Sequence, residues 1–374
     1  MMKPGYKQTE IGVIPEDWEA KPLKDVAPLQ RGFDLPYSQM EEGKYPVVFS
    51  NGVGAFHNAY MAKGPGVITG RSGTIGKVHY ISTNYWPHNT TLWVTDFHGN
   101  DEKYVYYLFQ TVPWELFNSG SSVPTLNRND IHDTLHAIPP RPEQRRIAEA
   151  LSDMDELIAS LEKLIAKKQA IKQGAMQELL TGKRRLPGFS GEWKPYLYLD
   201  ICSLINGRAY SQPELLNEGK YKVLRLGNLF TNEKWYYSDL ELSEKQYCDT
   251  GDLIYAWSAT FGPYIWEKER VIYHYHIWKV ICSELVDKQF LYYYFLYDTQ
   301  KIKNEVQGGT MAHLTKEAME KRTCRIPSKM EQQEIGHILT AIDKDIQNLE
   351  LKLAKVMMIK QGMMQQLLTG KIRI

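Results

Sequence analysis

A short loop rich in glycine, hydroxyl and basic residues is the first part of the sequence whose composition could support chemistry. Residues 70–78, Gly-Arg-Ser-Gly-Thr-Ile-Gly-Lys-Val, look at first like a phosphate-binding loop. That motif requires a glycine five positions before Gly76, where Arg71 stands, and a serine or threonine after the lysine, where Val78 stands. The sequence therefore predicts no nucleotide site here.

The same loop suits contacts with DNA. Arginine can donate two hydrogen bonds to guanine O6 and N7, serine and threonine can contact bases or phosphates, and lysine can hold a phosphate. An ordinary exposed hairpin is the alternative. The candidate DNA-contacting residues are Arg71, Ser72, Thr74 and Lys77, their counterparts Trp257, Ser258 and Thr260 in the second half of the chain, and His88, Asn89, His274 and His276.

Signatures of catalysis are missing from the sequence. It has no H-E-x-x-H or G-x-S-x-G motif, and no Asn-Pro-Pro-Tyr or Asp-Pro-Pro-Tyr of the kind expected in an adenine amino-methyltransferase. The ten histidines have no metal-ligand spacing, although His274 and His276 would share one face of a strand. We therefore expect no catalytic residue, no metal site and no cofactor in this chain.

Length and composition indicate a globular protein of two or three domains. The chain has 374 residues, of which 43% are hydrophobic and 24% charged. It has no apolar run long enough to span a membrane and no apolar leader at its start. Its four cysteines are far apart, which excludes a disulfide-dense scaffold. A reduced, cytoplasmic protein without membrane contact is the expectation.

The net charge of +1 gives no overall basic excess, so a nucleic-acid binder of this sequence must concentrate its basic residues on part of its surface. Aromatic residues make up 12% of the chain. Many adjoin basic residues, as in residues 234–237 and 273–279. Packing within β-strands is the alternative to a binding surface for these runs.

An internal duplication organises the chain. Residues 138–186 recur as residues 326–374 at a constant offset of 188, without a gap and with roughly half of the positions identical. The intervening segments are related more weakly; Ser72, Thr74 and Gly76, for example, align with Ser258, Thr260 and Gly262. The order is therefore variable segment, repeated segment, variable segment, repeated segment.

Each repeated segment is predicted to form a long helix with a heptad seam. Prolines stand at the start of the first helix, and Gly182 and Gly370 are predicted to end the two helices. Gly174 and Gly362 are explained either by close helix approach, by a kink, or by neutral inheritance. The seam residues are Ile147, Leu151, Met154, Ile158, Leu161 and Ile165 in the first copy and Ile335, Leu339, Ile342, Ile346, Leu349 and Leu353 in the second. After Lys168 the first seam falters and is predicted to resume with Ile171, Ala175 and Leu179.

Neither helix can bury its apolar stripe alone, so we expect the two copies to pair. Antiparallel pairing would relate the variable domains by a pseudo-twofold axis. The alternative is that each helix packs on its own domain. The variable segments are predicted to be mixed, with strands at residues 45–49, 66–69, 221–226 and 252–255 and short helices at residues 104–110 and 290–296.

With this organisation the chain resembles, over essentially its full length, the specificity subunit of Type I restriction–modification systems. The resemblance is carried by residues 6–18, by residues 138–147 with their copy 326–335, and by the Leu-Leu-Thr-Gly-Lys helix ends at residues 179–183 and 367–371. One departure is Met330, where the first copy has Pro142; it is expected to loosen the start of the second helix.

The resemblance implies an α+β fold with two pseudo-twofold-related mixed α/β target recognition domains, separated by two long antiparallel helices that form a coiled coil. The implied division is residues 1–142 and 187–330 for the recognition domains and residues 143–186 and 331–374 for the spacer helices. Each recognition domain would read half of a bipartite, asymmetric double-stranded DNA sequence.

The resemblance also implies partners. Two modification subunits would carry S-adenosylmethionine and the adenine N6-methylation chemistry, and restriction subunits would hydrolyse ATP, with magnesium, and cut DNA. Two alternatives remain: a stand-alone regulator with two DNA-binding domains, and a structural coiled-coil adaptor that shows no sequence-dependent DNA binding. A fused nuclease–methyltransferase is disfavoured because its motifs are missing.

Overall fold

The chain folds into two units that repeat one arrangement of sheets and short helices. The computed structural model describes residues 4–120, 122–230, 232–258, 261–306 and 314–374. Unit 1 comprises residues 1–162 and 351–374, and unit 2 comprises residues 163–350. Both boundaries fall inside a long helix, so each unit contains a variable segment and a part of both repeated segments.

In unit 1 the variable segment contains short strands and helices. The strands predicted at residues 45–49 and 66–69 and the helix predicted at residues 104–110 are confirmed. The elements in chain order are β1 (Tyr6–Thr9), β2 (Gly12–Pro15), β3 (Glu19–Pro22), α1 (Leu23–Val26), β4 (Leu29–Arg31), β5 (Tyr45–Phe49), β6 (Gly52–His57), β7 (Gly66–Gly70), β8 (Val78–Ile81), β9 (Trp86–Pro87), β10 (Thr91–Val94), α2 (Glu102–Phe109), α3 (Arg128–His132) and β11 (Leu135–Ile138). Helix α4, Arg141–Leu179, follows.

In unit 2 the strand predicted at residues 221–226 ends at Leu224, because residues 226–229 form a turn of 3₁₀-helix. The elements in chain order are β12 (Lys194–Leu197), α5 (Tyr198–Ile201), β13 (Cys202–Asn206), β14 (Tyr221–Leu224), β15 (Tyr236–Ser238), β16 (Tyr247–Cys248), β17 (Leu253–Ala256), β18 (Gly262–Ile265), β19 (Val271–Tyr273), β20 (Ile277–Cys282), α6 (Lys288–Val306), α7 (Lys316–Glu320) and β21 (Thr323–Ile326). Helix α8, Lys329–Leu367, follows.

Two sheets of unit 1 have counterparts with the same number of strands in unit 2. The four-stranded sheet β4-β10-β7-β8 of unit 1 has the counterpart β13-β20-β17-β18 in unit 2, and the pair β11-β3 has the counterpart β12-β21. A second sheet is mixed in both units, with β5 parallel to β9 and β14 parallel to β19. The duplication read from the repeated segments therefore extends through the variable segments, where sequence similarity is weak.

The strands that lead into the candidate loops are buried. Every residue of β7, Gly-Val-Ile-Thr-Gly, and of β17, Leu-Ile-Tyr-Ala, is buried. Each is an inner strand of its sheet, and a strand covered on both faces has such a continuous apolar run. The loops after β7 and β17 therefore start from fixed positions.

The long helices have the burial that the heptad pattern predicts. Buried seam residues are Ile147, Leu151, Leu161, Ile165, Ile335, Leu339 and Ile346, and half-buried ones are Met154, Ile158, Ile342, Leu349 and Leu353. The prediction for Ile171 is wrong, since it is 48% exposed, whereas Leu179 is buried and Ala175 half-buried as predicted.

Ion pairs show that α4 and α8 run antiparallel within each unit. In unit 1, Lys360 Nζ lies 2.6 Å from Asp155 Oδ1, and Arg373 Nη2 lies 2.6 Å from Glu143 Oε2. As the residue number falls along α4, its partner's number rises. In unit 2, Lys168 pairs with Asp345 and Lys172 with Asp343, so the partner's number again changes in the opposite direction.

The helix ends also pack on the cores of the variable segments, so the two packing alternatives are both partly realised. Ile147 and Leu151 of α4 join Leu367 and Leu368 of the second repeated segment in the core cluster that contains Trp18. In unit 2, Ile335 and Leu339 take the corresponding places beside Leu179 and Trp193. Helix pairing and domain packing thus share one core in each unit.

The predicted helix ends are confirmed. Gly182 and Gly370 have positive φ angles of 70° and 69° and stand just beyond the last turns. Met330 does not shorten α8, since α8 begins at Lys329 and both helices have 39 residues. A Cβ on Gly174 or Gly362 would have nothing within 4 Å, so neither glycine is required for close helix approach. Within the described ranges, no helix has the length and apolarity needed to cross a bilayer.

Candidate nucleic-acid interface

In unit 1 the loop between β7 and β8 is held by backbone hydrogen bonds on two sides. Arg71 N and Ser72 N donate to Thr90 O at 2.8 and 3.1 Å, and Leu126 N donates to Arg71 O at 2.8 Å. Gly70 also lies so close to Thr74 O that a Cβ there would be 1.7 Å from it. The loop connects the antiparallel strands β7 and β8 and is held in place by these contacts.

The polar side chains of this loop differ in exposure. Thr74 and Lys77 are exposed, and Arg71 and Ser72 are half-buried. Arg71 Nη1 donates to Asn89 O at 3.5 Å, and Lys77 Nζ donates to Asn51 O at 3.1 Å. Each cation has donors beyond these single bonds, so both can also bind an acceptor on a ligand.

His88 and Asn89 lie beside this loop, in the turn between β9 and β10, and one polar side-chain atom of each contacts another residue of the chain. The His88 ring packs 4.4 Å from that of Phe49, and its Nδ1 lies 3.1 Å from Thr90 Oγ1. Burial lowers the pKa of His88. Asn89 Nδ2 donates to Asp34. The structure thus brings both residues to the candidate loop, with positioning contacts already made.

In the described part of the corresponding loop of unit 2, Trp257 packs against other aromatic side chains. Trp257 Nε1 donates to Tyr275 O at 2.8 Å, and its indole stacks on Trp278 at 5.8 Å. The next residue, Ser258, is 7% exposed. Thr260 lies outside the described residues. Of the three predicted residues, Trp257 is therefore the one at least partly accessible within the described chain.

His274 and His276 were predicted to share a strand face, and this is wrong: they lie in the turn between β19 and β20. The turn nevertheless brings their rings to 4.9 Å from each other. Burial, helped by neighbouring His276 and Arg225, lowers the pKa of His274 to about 4. His274 is therefore neutral at physiological pH and can both donate and accept a hydrogen bond. Among the described residues, no cluster of three or more His, Cys, Asp or Glu could hold a metal ion.

His88 and His274 occupy equivalent backbone positions in the two units. His88 N donates to Val48 O at the end of β5, and His274 N donates to Leu224 O at the end of β14, both at 2.9 Å. The residues that follow these two acceptors are Phe49 and Arg225. The same backbone therefore presents an aromatic ring in unit 1 and a guanidinium group in unit 2.

A cleft of about 360 Å³ adjoins the histidine turn of unit 2. Asn228 organises one wall, because its Oδ1 accepts from Arg225 N at 3.2 Å and its Nδ2 donates to Lys234 O at 3.0 Å. The Arg225 guanidinium lies 5.3 Å from the centre of the Tyr236 ring. The polar and aromatic lining consists of Arg225, Asn228, Lys234, Tyr236, His274 and His276.

The sequence analysis singled out the two histidines of this cleft and missed Arg225, Asn228 and Lys234 as site residues. One signal was present, since the basic–aromatic run 234–237 supplies Lys234 and Tyr236. Arg225 gave no such signal, because it reaches the histidines only through the parallel pairing of β14 with β19.

Both units therefore place cations and neutral polar groups around a loop and a histidine turn. In unit 1 these include Arg71 and Lys77, and in unit 2 Arg225 and Lys234. Guanidinium and ammonium groups match the acceptors of guanine edges and phosphates, and the imidazole and amide groups can complement other base edges. This chemistry suits binding of DNA.

Comparison with known proteins gives consistent matches over the whole chain. A family model described as "Type I restriction modification DNA specificity domain" matches residues 15–173 and again residues 190–356. A putative type I restriction enzyme MjaX specificity subunit of Methanocaldococcus jannaschii is 24% identical over 416 residues, covering 99% of this chain and 97% of the relative. The type I restriction enzyme MjaVIII specificity subunit of the same organism is 23% identical and covers 73% of this chain and 71% of the relative.

Solved structures show the same fold. The S subunit of a Type I restriction–modification system from M. genitalium aligns over 98% of this chain and 99% of its own, with a TM-score of 0.67 and 16% sequence identity. A chain from a study of complex assembly and conformational transition of the type I R-M system aligns over 96% of this chain and 99% of its own, with a TM-score of 0.60 and 15% identity.

Proposed function

Because the chain belongs to the family of Type I restriction modification DNA specificity domains, we propose that it reads a bipartite, asymmetric DNA target, with one half-site bound by each unit. The chain is the recognition component and performs no catalysis of its own. The observation that carries the proposal is that two units with corresponding sheets hold different side chains in equivalent loops.

Different side chains on one scaffold are what two readers of different sequences require. Phosphates are the same along any DNA, whereas base edges differ, so specificity must come from residues that vary between the readers. Arg71 in unit 1 and Trp257 in unit 2 follow equivalent strands, and Phe49 and Arg225 follow equivalent acceptor residues. We infer that the two half-sites therefore have different sequences.

The repeated segments act as the spacer between the readers. The recognition domains are residues 1–142 and 187–330, and the spacer helices are residues 143–186 and 331–374. Both α4 and α8 contribute to both units, since the unit boundaries lie at residues 162/163 and 350/351. The length of these helices sets the number of base pairs between the half-sites.

The catalytic steps belong to partner subunits. Two modification subunits dock on this chain, carry S-adenosylmethionine and methylate adenine at N6 in the target. Restriction subunits join that complex, hydrolyse ATP in the presence of magnesium and cut DNA. The assembly acts on cellular DNA in the cytoplasm.

Co-expression with a modification subunit, followed by mapping of methylated adenines, tests this function. The complex should methylate one two-part sequence with a fixed gap. The purified chain alone should show no methyl transfer, ATP hydrolysis or DNA cleavage, because the motifs for these reactions are missing from its sequence. Methyl transfer by the chain alone, or methylation without a fixed motif, would contradict the proposal. A stand-alone regulator would in addition fail to co-elute with the modification subunit in size-exclusion chromatography.

A further inference from the structure

The cleft of unit 2 is built from segments far apart in sequence, which come together at the ends of β14 and β19. Arg225 follows β14, and His274 follows β19. Asn228 ties the chain after Arg225 to the segment before β15, through its bonds to Asn232 O and Lys234 O at 3.1 and 3.0 Å. The positions of the cleft's functional groups are therefore set by the sheet and by this amide.

The charge of the cleft favours a ligand with hydrogen-bond acceptors. Arg225 and Lys234 are cationic, and His274 is neutral because burial disfavours its protonation. None of the described residues that line the cleft is a carboxylate. The Arg225 guanidinium carbon lies 5.3 Å from the centre of the Tyr236 ring, which is within cation–π distance. A planar group held in this way matches a pair of acceptors on one edge.

Two parts of DNA offer such acceptors: the phosphate backbone and the major-groove edge of guanine. A phosphate contact carries no sequence information, so two readers of one family should make it with equivalent residues. The equivalents here are unlike, because unit 1 has Phe49 where unit 2 has Arg225 and Thr90 where unit 2 has His276. In unit 1 the Phe49 ring packs against His88, and the exposed Tyr37 ring stacks on Phe49 at 6.0 Å.

We propose that the cleft of unit 2 reads a guanine in one half-site, with Arg225 as the specificity-determining side chain. The guanidinium donates to O6 and N7 of that guanine, and His274 and Lys234 lie beside the same base pair. Unit 1 has no counterpart of this contact at Phe49, so its half-site is read by other residues. The inference rests on the proposed function and specifies which residues perform it.

The test uses complexes of the full chain with modification subunits, in which the chain is wild type, Arg225→Ala or Arg225→Lys. For each complex, methylated adenines are mapped and competition binding is measured on single-base variants of the target. Both substitutions should relax one guanine position of one half-site, with discrimination falling on the order of 10- to 100-fold. Lysine keeps the charge but cannot form the paired bonds. The other half-site should remain unchanged.

Lys268→Ala is a matched control, since it removes one exposed cation from the turn after β18, at the end of that strand away from the cleft. It should leave the recognised sequence unaltered. Uniform weakening in Arg225→Ala, with an unaltered motif and rescue by lysine, would overturn the proposal in favour of a phosphate contact. A motif unchanged in all variants, at unchanged affinity, would also overturn it. If the wild-type complex recognised no bipartite sequence, the proposed function itself would fail, which is a distinct result.

Discussion

At the scale of single residues, the side chains that distinguish the two units stand on matching backbone. The histidine turns make the same bond, from His88 N to Val48 O and from His274 N to Leu224 O. What differs is the neighbour, an aromatic ring at Phe49 and a cation at Arg225. A shared backbone with exchangeable neighbours lets one fold read different sequences.

Arg71 should be a base contact of unit 1 and Lys77 a phosphate contact. If Arg71 donates two hydrogen bonds to one guanine, Arg71→Ala should weaken the binding free energy by about 1–3 kcal/mol and lower the specificity at one position of one half-site. Lys77→Ala should instead weaken binding to all sequences and lower the slope of log affinity against log salt by about one. Anisotropy titrations at several salt concentrations separate these effects. Unchanged binding of a folded Arg71→Ala variant would remove this loop from the reading surface.

His274 should stay neutral throughout the physiological range. Its folded pKa of about 4 lies below the ordinary value of 6.5, because burial penalises the imidazolium. The unfolded chain therefore takes up this proton first. Neutral, half-buried His274 therefore contributes fully to the stability of the folded chain above pH 6.5. This contribution is lost as the pH falls from 6.5 towards 4. Histidine NMR titration measures this pKa, with His274→Gln to assign the signal; a midpoint near 6.5 would contradict the burial argument.

The sequence identified those residues of the candidate site that stand together in a local pattern, and missed one that only the fold brings near. Arg71 and Lys77 could be named as candidates because a polar, glycine-rich loop between apolar runs is a pattern visible in a few consecutive residues. Arg225 was missed because strand pairing brings it to residues some fifty positions away. The histidines were placed on a strand because the alternating pattern of residues 273–279 conceals the turn between β19 and β20.

At the scale of secondary-structure elements, a repeated set of three side chains joins each recognition domain to both long helices. In unit 1, Tyr107 OH of α2 donates to Asp155 Oδ2 of α4 at 2.7 Å, and Lys360 of α8 pairs with the other oxygen of Asp155. In unit 2, Tyr293 of α6, Asp343 of α8 and Lys172 of α4 make the same contacts. These two sets fix the register of the antiparallel helices against the sheets.

Lys360→Met should destabilise the protein by about 1–2 kcal/mol, because it leaves the Asp155 carboxylate without its cation in a partly buried setting. The exposed Lys355→Met, on the same helix, should have little effect. A double-mutant cycle with Asp155→Asn, followed by urea unfolding, measures the coupling. Additive effects of Lys360→Met and Asp155→Asn would show that this ion pair does not hold the register.

The elements were predictable to different degrees. The long helices follow from their heptad pattern and glycine stops, which are local and repeated. The prediction failed at Ile171, because in this part of α4 the side chains that enter the core of unit 2 are those of Ala175, Met176 and Leu179. Several short strands, such as β9 and β16, gave no signal, because two residues carry no periodicity.

At the scale of the whole molecule, duplication explains how a chain of net charge +1 can bind DNA. Only the reading surfaces of two units need be basic, and the long helices carry many paired charges. Under the proposed function, the spacer is the middle of each long helix, where the unit boundaries at residues 162/163 and 350/351 lie. A change confined to the helices should therefore alter the gap between half-sites and leave their sequences intact.

The most direct test lengthens the spacer at the unit boundary of both helices. Duplicating residues 164–167 of α4 and the equivalent residues 352–355 of α8 adds one turn to each, about 6 Å. At about 3.4 Å per base pair, the gap should grow by one or two base pairs. A one-residue insertion in each is the control; it turns the seam by about 100° and should abolish pairing.

The measurement is the mapping of methylated adenines in cells that carry the partner subunits and this lengthened chain. We expect both half-sites to keep their sequences while the gap between them grows by one or two base pairs. A methylated motif with an unchanged gap, or with an altered half-site, would contradict the proposal that the length of the paired helices sets the gap between two independently read half-sites.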